Sequence, residues 1–308
     1  MRAPILHAVR DPRCARGCLR RVSRARVLLS RDSSKTAHGV AVLRAVHQLY
    51  DGEPKILVDK PVLELLGSET LERIRERREE FQTPGAIALR AHVVLRSRFA
   101  EDRLAEAVAR GVRQYVILGA GGDTFAYRQP AWASELAIFE VDHDASQTAK
   151  RARLAHAGVI VPPNVIFAPI DFERTTLRDG LLANGVDLSA PVFFSWLGVT
   201  MYLTETAVDA VLRTVASLPP STEIVFTYAR QRAPDEHREG PTLAERAAAV
   251  GEPWLTYFEP EPLEVKLRSF GFDNVHFLTV AAARDAYFRD RTDQLVVPAR
   301  VSIVSAAV

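Results

Sequence analysis

The chain has 308 residues, 47% of them hydrophobic and 25% charged, the balance expected of a soluble globular enzyme. Its fourteen Phe, seven Tyr and three Trp exclude a disordered chain, and no run of about 18 apolar residues is free of charge, which excludes a spanning helix; two cysteines, Cys14 and Cys18, exclude a disulfide framework and a zinc ribbon. The net charge of +2 is unevenly spread: residues 1–31 hold nine arginines against Asp11, a local +8, which leaves the rest of the chain at −6 and without the basic surface that nucleic-acid binding requires.

Residues 1–32 therefore read as an arginine-rich arm, disordered or loosely docked, with an electrostatic interaction tail as the alternative. Val27-Leu28-Leu29 is too short for a secretory apolar core, although the arginine-rich, acid-poor start also resembles a transit peptide. From residue 33 to 308 the composition is that of one folded domain. Ser33-Ser34 can cap a helix over about Lys35–Tyr50, whose apolar stripe includes Ala37, Val40, Ala41 and Val46, and Gly52-Glu53-Pro54 breaks it. A short helix after Pro61, a charged one near Glu69–Phe81 and a long one near Ala86–Arg110 complete a helical prologue over 33–113, with one short strand possible at Ile56-Leu57-Val58.

Over 114–308 short apolar, β-branched runs alternate with helical patterns. Strands are expected at Tyr115–Leu118, Ala137–Val141, Val165–Ala168, Val192–Trp196, Glu223–Tyr228, Val275–Leu278 and Ala299–Ser305. Helices are expected at Asp144–Ala157, Arg174–Asn184, Glu205–Ser217 and Glu261–Phe270. The rhythm indicates a mostly parallel sheet of seven strands with helices on both faces and an antiparallel pair at one edge. Residues 231–260, punctuated by Pro234, Pro241, Pro253 and Pro260, interrupt it as an insertion after the fifth strand.

Three strand ends carry chemistry. The first strand runs into Gly119-Ala120-Gly121-Gly122, a turn whose glycines let the backbone approach a ligand closely, but Thr124 stands where a dinucleotide fingerprint wants a third glycine. Asp142 ends the second strand 21 residues beyond Gly121, placed to accept hydrogen bonds from ribose hydroxyls. Glu140 is the competing acid, and a bare helix cap is the alternative role for Asp142. After the third strand Asp171 can accept from an adenine amino group while Phe172 packs on the ring, or Asp171 can simply cap a helix. Together these features suggest an adenosine ligand.

At this point the chain resembles the leucine carboxyl methyltransferase family of class I S-adenosyl-L-methionine-dependent methyltransferases, especially its bacterial branch. The resemblance runs over about 33–308 and rests on Thr36-Ala37 with Val40-Ala41 and Arg44-Ala45, Leu95-Arg96-Ser97, the run 111–128 through Gly119-Ala120-Gly121, Asp123-Thr124 and Ala126-Tyr127-Arg128, then Phe139-Glu140-Val141-Asp142 and Met201-Tyr202-Leu203. It implies a Rossmann-like α/β fold and S-adenosyl-L-methionine as cofactor, with contacts from Gly119, Ala120, Gly121, Asp142, Asp171 and Phe172. It further implies that Arg96 pairs with the methionine carboxylate, a role suited to a planar guanidinium, and that Lys35 corresponds to an N-terminal cofactor lysine. The alternative for Arg96 is a solvated helix face. Two positions depart from the family: Phe125 replaces an arginine, and Leu197 replaces an acid, which argues against a leucine carboxyl as substrate.

Methyl transfer to oxygen needs alignment first, and a general base only when the acceptor is a hydroxyl and not a carboxylate. Tyr202 is the candidate for positioning the acceptor; His38, His47 and His92 are candidate bases, although His38 and His47 sit half a turn out of phase on one helix. Trp254, Tyr257 and Phe258 of the insertion suit a flat or apolar acceptor. Ser195–Leu203 holds no carboxylate cluster, so no metal is expected. The reading is a cytoplasmic O-methyltransferase of a small molecule, with no nucleic-acid or membrane partner. Its rivals are a degenerate cofactor-binding protein without turnover and a nicotinamide-dependent oxidoreductase.

Overall fold

The computed structural model describes residues 35–172, 174–231 and 242–308. The arm, both cysteines and the expected Ser33-Ser34 cap lie outside the described residues. The chain divides into two units, Met1–Arg31 and Asp32–Val308, and everything below concerns the second.

Three helices open the unit: α1 (Lys35–Tyr50), α2 (Pro61–Glu76) and α3 (Pro84–Ala109). Gly67, at φ +72°, interrupts α2 between its apolar and charged halves, and Arg78–Gln82 form a 3₁₀ turn in place of a longer helix. Thr83 caps α3 by accepting from Ala86 N–H, and Pro84 occupies the first turn, where no amide is needed. The expected strand at Ile56–Val58 does not form. The side chain of Gln48 satisfies this backbone instead, donating to Leu57 O at 2.9 Å and accepting from Asp59 N–H at 2.9 Å, while Ile56 and Leu57 are buried.

α1 and α3 are fastened by charge. The buried carboxylate of Asp51 accepts from Arg90 Nε at 2.8 Å and Nη2 at 2.9 Å and from His47 Nδ1 at 2.8 Å, and Arg90 also donates to Phe81 O. Arg90 is 1% exposed, so its charge has no recourse to water.

The sheet comprises β1 (Gln114–Leu118), β2 (Ala137–Asp142), β3 (Val165–Pro169), β4 (Phe193–Trp196), β5 (Glu223–Thr227), β6 (Asn274–Phe277) and β7 (Ile303–Ala307), in the order β3-β2-β1-β4-β5-β7-β6. The first five are parallel, and β7 runs antiparallel to both β5 and β6. Their side chains divide by parity. Tyr115, Ile117, Ile138, Phe193 and Val225 pack with α3 on one face. Val116, Leu118, Phe139, Phe194 and Ile224 pack on the other, with residues of α5 (Leu177–Ala183), α6 (Glu205–Ala216) and α8 (Pro260–Phe270). Both faces are buried, which is why these strands read as continuous apolar runs. α4 (Asp144–His156) links β2 to β3, α7 (Leu243–Ala249) lies in the insertion, and Gly271, at φ +109°, ends α8. The connection between the last two strands holds α9 (Val280–Ala283) and a π turn over Arg284–Phe288, and β7 begins at Ile303, later than the sequence pattern suggests.

Chain order reverses between β1 and β4: β2 and β3 lie to one side, β5 to the other. The crevice beyond the carboxyl ends of β1 and β4 is where an open α/β sheet receives its ligand. It is also where the three candidate strand ends converge.

Burial opposes ionisation of Asp51, but hydrogen bonds from His47 and Arg90 outweigh it and hold its carboxyl below the ordinary value. The stability it contributes is therefore present above the unfolded carboxylate pKa and lost as pH falls through the lower folded one. Asp51→Ala leaves Arg90 buried without a counter-charge, and urea unfolding at neutral pH is expected to show a loss of about 3–5 kcal/mol. A variant as stable as the wild type would show that α1 and α3 do not depend on this pair.

Candidate active site

The turn after β1 is held from two directions. Gly119 and Gly121 have φ of +68° and +35°, and a Cβ on Gly119 would come within 2.6 Å of Val199 Cγ2, so the first glycine is required by backbone and neighbour alike. Both Gly119 N–H and Ala120 N–H donate to Val141 O, which brings the turn against the end of β2. There Asp142 accepts from Gly121 N–H through Oδ2 and from His143 N–H through Oδ1, both at 2.7 Å. The acid expected to meet a ribose thus also fixes the glycine turn.

From the other side a buried polar network supports the turn. Arg44 of α1 donates to Gly122 O and pairs with Asp59 at 3.1 Å; Thr124 Oγ1 donates to Asp59 at 2.7 Å; Arg128 joins Thr124 to Glu101 of α3. Burial raises the Glu101 carboxyl against the pull of Arg128. Sequence reasoning assigned these residues no role. Their signal was faint but present, since Arg44 is an arginine within an apolar helical stripe.

Glu140, the competing acid, faces away from this role. It is fully buried, paired with Lys150 at 2.8 Å, and accepts from Tyr127 OH at 2.8 Å. Burial raises its carboxyl despite Lys150.

Arg96 stands apart from all these pairs. It is half-buried on α3 and has no hydrogen bond or ion pair among the described residues. Its guanidinium lies against Gly198, in the loop leaving β4, where a Cβ would meet Nη1 at 2.7 Å. Gly198 has φ +78°, and the loop is tied to β5 through Gly198 N–H to Thr227 Oγ1 at 2.7 Å and Thr200 Oγ1 to Thr227 O at 2.6 Å. Burial and the neighbouring charge of Arg44 push the Arg96 guanidinium down to about 10, while Tyr202 and Asp123 act in the opposite direction. Arg96 and Tyr202 are thus close enough to influence each other. Leu197, in the family acid's place, is half-buried against the core beside α3.

Asp171 follows β3, and Ile170 N–H donates to Asp142 O at 3.0 Å, so the third strand end hangs from the second. Asp171 lies 3.5 Å from Arg174, and Phe172 is 52% exposed, unburied by the protein's own core. Lys35 begins α1, but its side chain lies outside the described residues. Of the histidines, His47 is spent on Asp51, His38 is exposed, and His92 is half-buried one helical turn before Arg96. The insertion crosses the same region as a strap: Thr36 of α1 donates to Glu252, and Leu255 N–H donates to Met201 O at 2.7 Å. Trp254 packs on Tyr257 at 6.1 Å with its indole N–H buried and unpartnered among the described residues, whereas Phe258 belongs to the core. Among the described residues no group of three or more His, Cys, Asp or Glu is arranged to hold a metal, and no helix is long and apolar enough to cross a membrane.

A sequence model of the leucine carboxyl methyltransferase family matches residues 37–216. The Bacillus subtilis protein named "Putative S-adenosyl-L-methionine-dependent methyltransferase YktD" is 32% identical over 288 residues, covering 86% of this chain and 94% of that one. A Mycobacterium marinum protein of the same descriptive name is 33% identical over 168 residues, 53% of this chain and 51% of that one. Among solved structures, a DUF574 family protein from Streptomyces avermitilis superposes with a TM-score of 0.50 at 18% identity, over 90% of this chain and 98% of that one. A protein from Thermobifida fusca, described as a putative methyltransferase, does so at 0.50 and 17%, over 87% and 92%. These two likenesses are of fold.

The contact between Gly198 and Arg96 is testable. Gly198→Ala is expected to displace the guanidinium and weaken S-adenosylhomocysteine binding by about tenfold or more, the loss of one charge-assisted hydrogen bond. Adding Arg96→Ala should then change affinity little further, because both substitutions remove the same interaction. Calorimetric titration of the four proteins of this cycle measures it, and additive losses would show that Gly198 does not act through Arg96.

Proposed function

The chain belongs to the leucine carboxyl methyltransferase family and is an S-adenosyl-L-methionine-dependent methyltransferase, and we propose that it transfers the methyl group to an oxygen, carboxyl or hydroxyl, of a small molecule. The observation that carries this reading is Arg96, a half-buried cation without a carboxylate partner among the described residues, beside a glycine turn already pinned by Asp142. The residues fit the cofactor. Arg96 supplies the cation that a methionine carboxylate requires. Asp142 spends one N–H bond on each oxygen and keeps lone pairs for ribose hydroxyls. Asp171 and the exposed ring of Phe172 suit an adenine.

The cofactor supplies an electrophilic methyl group on a sulfonium. What the protein contributes is alignment, worth up to about 7–11 kcal/mol when reacting atoms are held in line. Tyr202, whose hydroxyl belongs to the same electrostatic neighbourhood as Arg96, is the residue we assign to positioning the acceptor. The surroundings support a small acceptor: α1 lies across the glycine turn, with Ala37 Cβ 3.8 Å from a Cβ placed on Gly121, and the strap joins α1 to the loop after β4. The charge of −6 over residues 32–308 supports a non-nucleic-acid acceptor, and a cytoplasmic setting completes the reading.

Calorimetry with S-adenosylhomocysteine on the wild type and Asp142→Ala, together with methyl-transfer assays over paired hydroxyl and carboxyl acceptors, tests it. Micromolar binding that is lost in the variant, with transfer to at least one small acceptor, is the expected outcome. Binding without transfer to any of them would favour a cofactor-binding protein that does not turn over.

A further inference from the structure

Asp123 belongs to the glycine turn, where its N–H donates to Ala120 O at 2.6 Å. It is half-buried. One carboxylate oxygen, Oδ1, accepts from Phe125 N–H at 2.8 Å, and the other has no hydrogen bond or ion pair among the described residues. Asp142, the second acid at this turn, already receives an N–H on each oxygen. The nearby cations are taken by other acids: Arg44 pairs with Asp59, Arg128 with Glu101 and Lys150 with Glu140. Arg96 is the matching case of opposite sign. It lies half-buried against Gly198 without an ion pair among the described residues, and Asp123 is near enough to oppose the lowering of its guanidinium. Leu197, beside Gly198, adds no charge. The two groups thus feel one another without meeting as an ion pair. A charge drawn from water without a partner is costly, and here one of each sign is kept at the same edge of the sheet.

Resting on the methyltransferase reading above, we propose that Asp123 binds the α-ammonium of the cofactor while Arg96 takes its α-carboxylate, so that the crevice reads the methionyl end as a zwitterion. An α-amino acid presents both charges on one carbon, and a ligand of that shape satisfies the anion and the cation together. The Asp123 oxygen left over accepts a charge-assisted N–H bond from the ammonium, and the planar guanidinium of Arg96 suits the carboxylate. Phe125 N–H fixes the Asp123 carboxylate through Oδ1 before any ligand arrives, which lowers the cost of ordering it on binding. Three acids at three strand ends then divide the cofactor between them: Asp142 the ribose, Asp171 the adenine, Asp123 the ammonium. A ligand that lacks the amino group leaves Asp123 unpaired, which is how a polar site rejects a near-analogue.

The test is calorimetric titration of the full chain and of Asp123→Asn with three ligands: S-adenosyl-L-methionine, S-adenosylhomocysteine, and 5′-(3-carboxypropylthio)-5′-deoxyadenosine, which is S-adenosylhomocysteine without its amino group. Asparagine keeps an oxygen for Phe125 N–H, so the variant loses the charge and not the turn contact. S-adenosylhomocysteine is expected to bind the wild type about tenfold or more tightly than the deaminated analogue, the worth of one hydrogen bond to a charged group. Asp123→Asn is expected to weaken S-adenosylhomocysteine by a similar factor and the analogue by less than about twofold, because the ligand and protein changes remove the same interaction. Wild-type protein that binds the two equally would overturn the proposal without any variant. So would an equal effect of Asp123→Asn on both, or a loss confined to S-adenosyl-L-methionine, which would set the carboxylate against the sulfonium instead. Failure of S-adenosylhomocysteine to bind the wild type is a different result, and would overturn the methyltransferase reading itself.

Discussion

A charge withdrawn from water must meet its opposite or cost several kcal/mol, and this molecule is arranged around that demand. Asp51 with Arg90, Asp59 with Arg44, Glu101 with Arg128, Glu140 with Lys150, and Glu223 with Arg103 and Arg110 each tie one segment to another. Four of these five bind the helical prologue to itself or to the sheet. Arg96 differs: it lies against Gly198 at the crevice with no counter-charge paired to it among the described residues.

The same pairs explain what could be read from the sequence. The strands were legible because a sheet covered on both faces needs apolar runs, and the glycine turn because only glycine tolerates the backbone of Gly119 and the approach of Val199. Asp142 stood out by its place at a strand end 21 residues beyond Gly121, and Arg96 through motif resemblance. The support beneath the turn was not: Arg44 lies 80 residues from Thr124 and Glu101 lies 27 from Arg128, and no local pattern announces such partnerships. Phe258 and Trp254 look alike in a sequence, yet one packs in the core and the other sits in the strap with its N–H unpartnered among the described residues. Ile56–Val58 misled because Ile56 and Leu57 are buried while Gln48 of α1 satisfies the backbone as a neighbouring strand would.

The prologue is part of the site and not an appendage to it. α1 delivers Arg44 to the carbonyl of Gly122, Ala37 to the edge of Gly121 and Thr36 to the strap, while α3 delivers Arg96 to Gly198. Here the strands bring backbone and a carboxylate to the ligand edge, and the cations come from helices that precede them. The tyrosine and the indole come from segments that follow β4 and β5.

The placing of β7 between β5 and β6 carries a consequence for how the chain is made. Residues 223–227 and 274–277 emerge from the ribosome well before 303–307, but they share no ladder until those five arrive. Until then β5 presents an open, apolar edge, and β6 has no partner at all. That flank of the sheet therefore cannot close until the Ile303–Ala307 segment has been made.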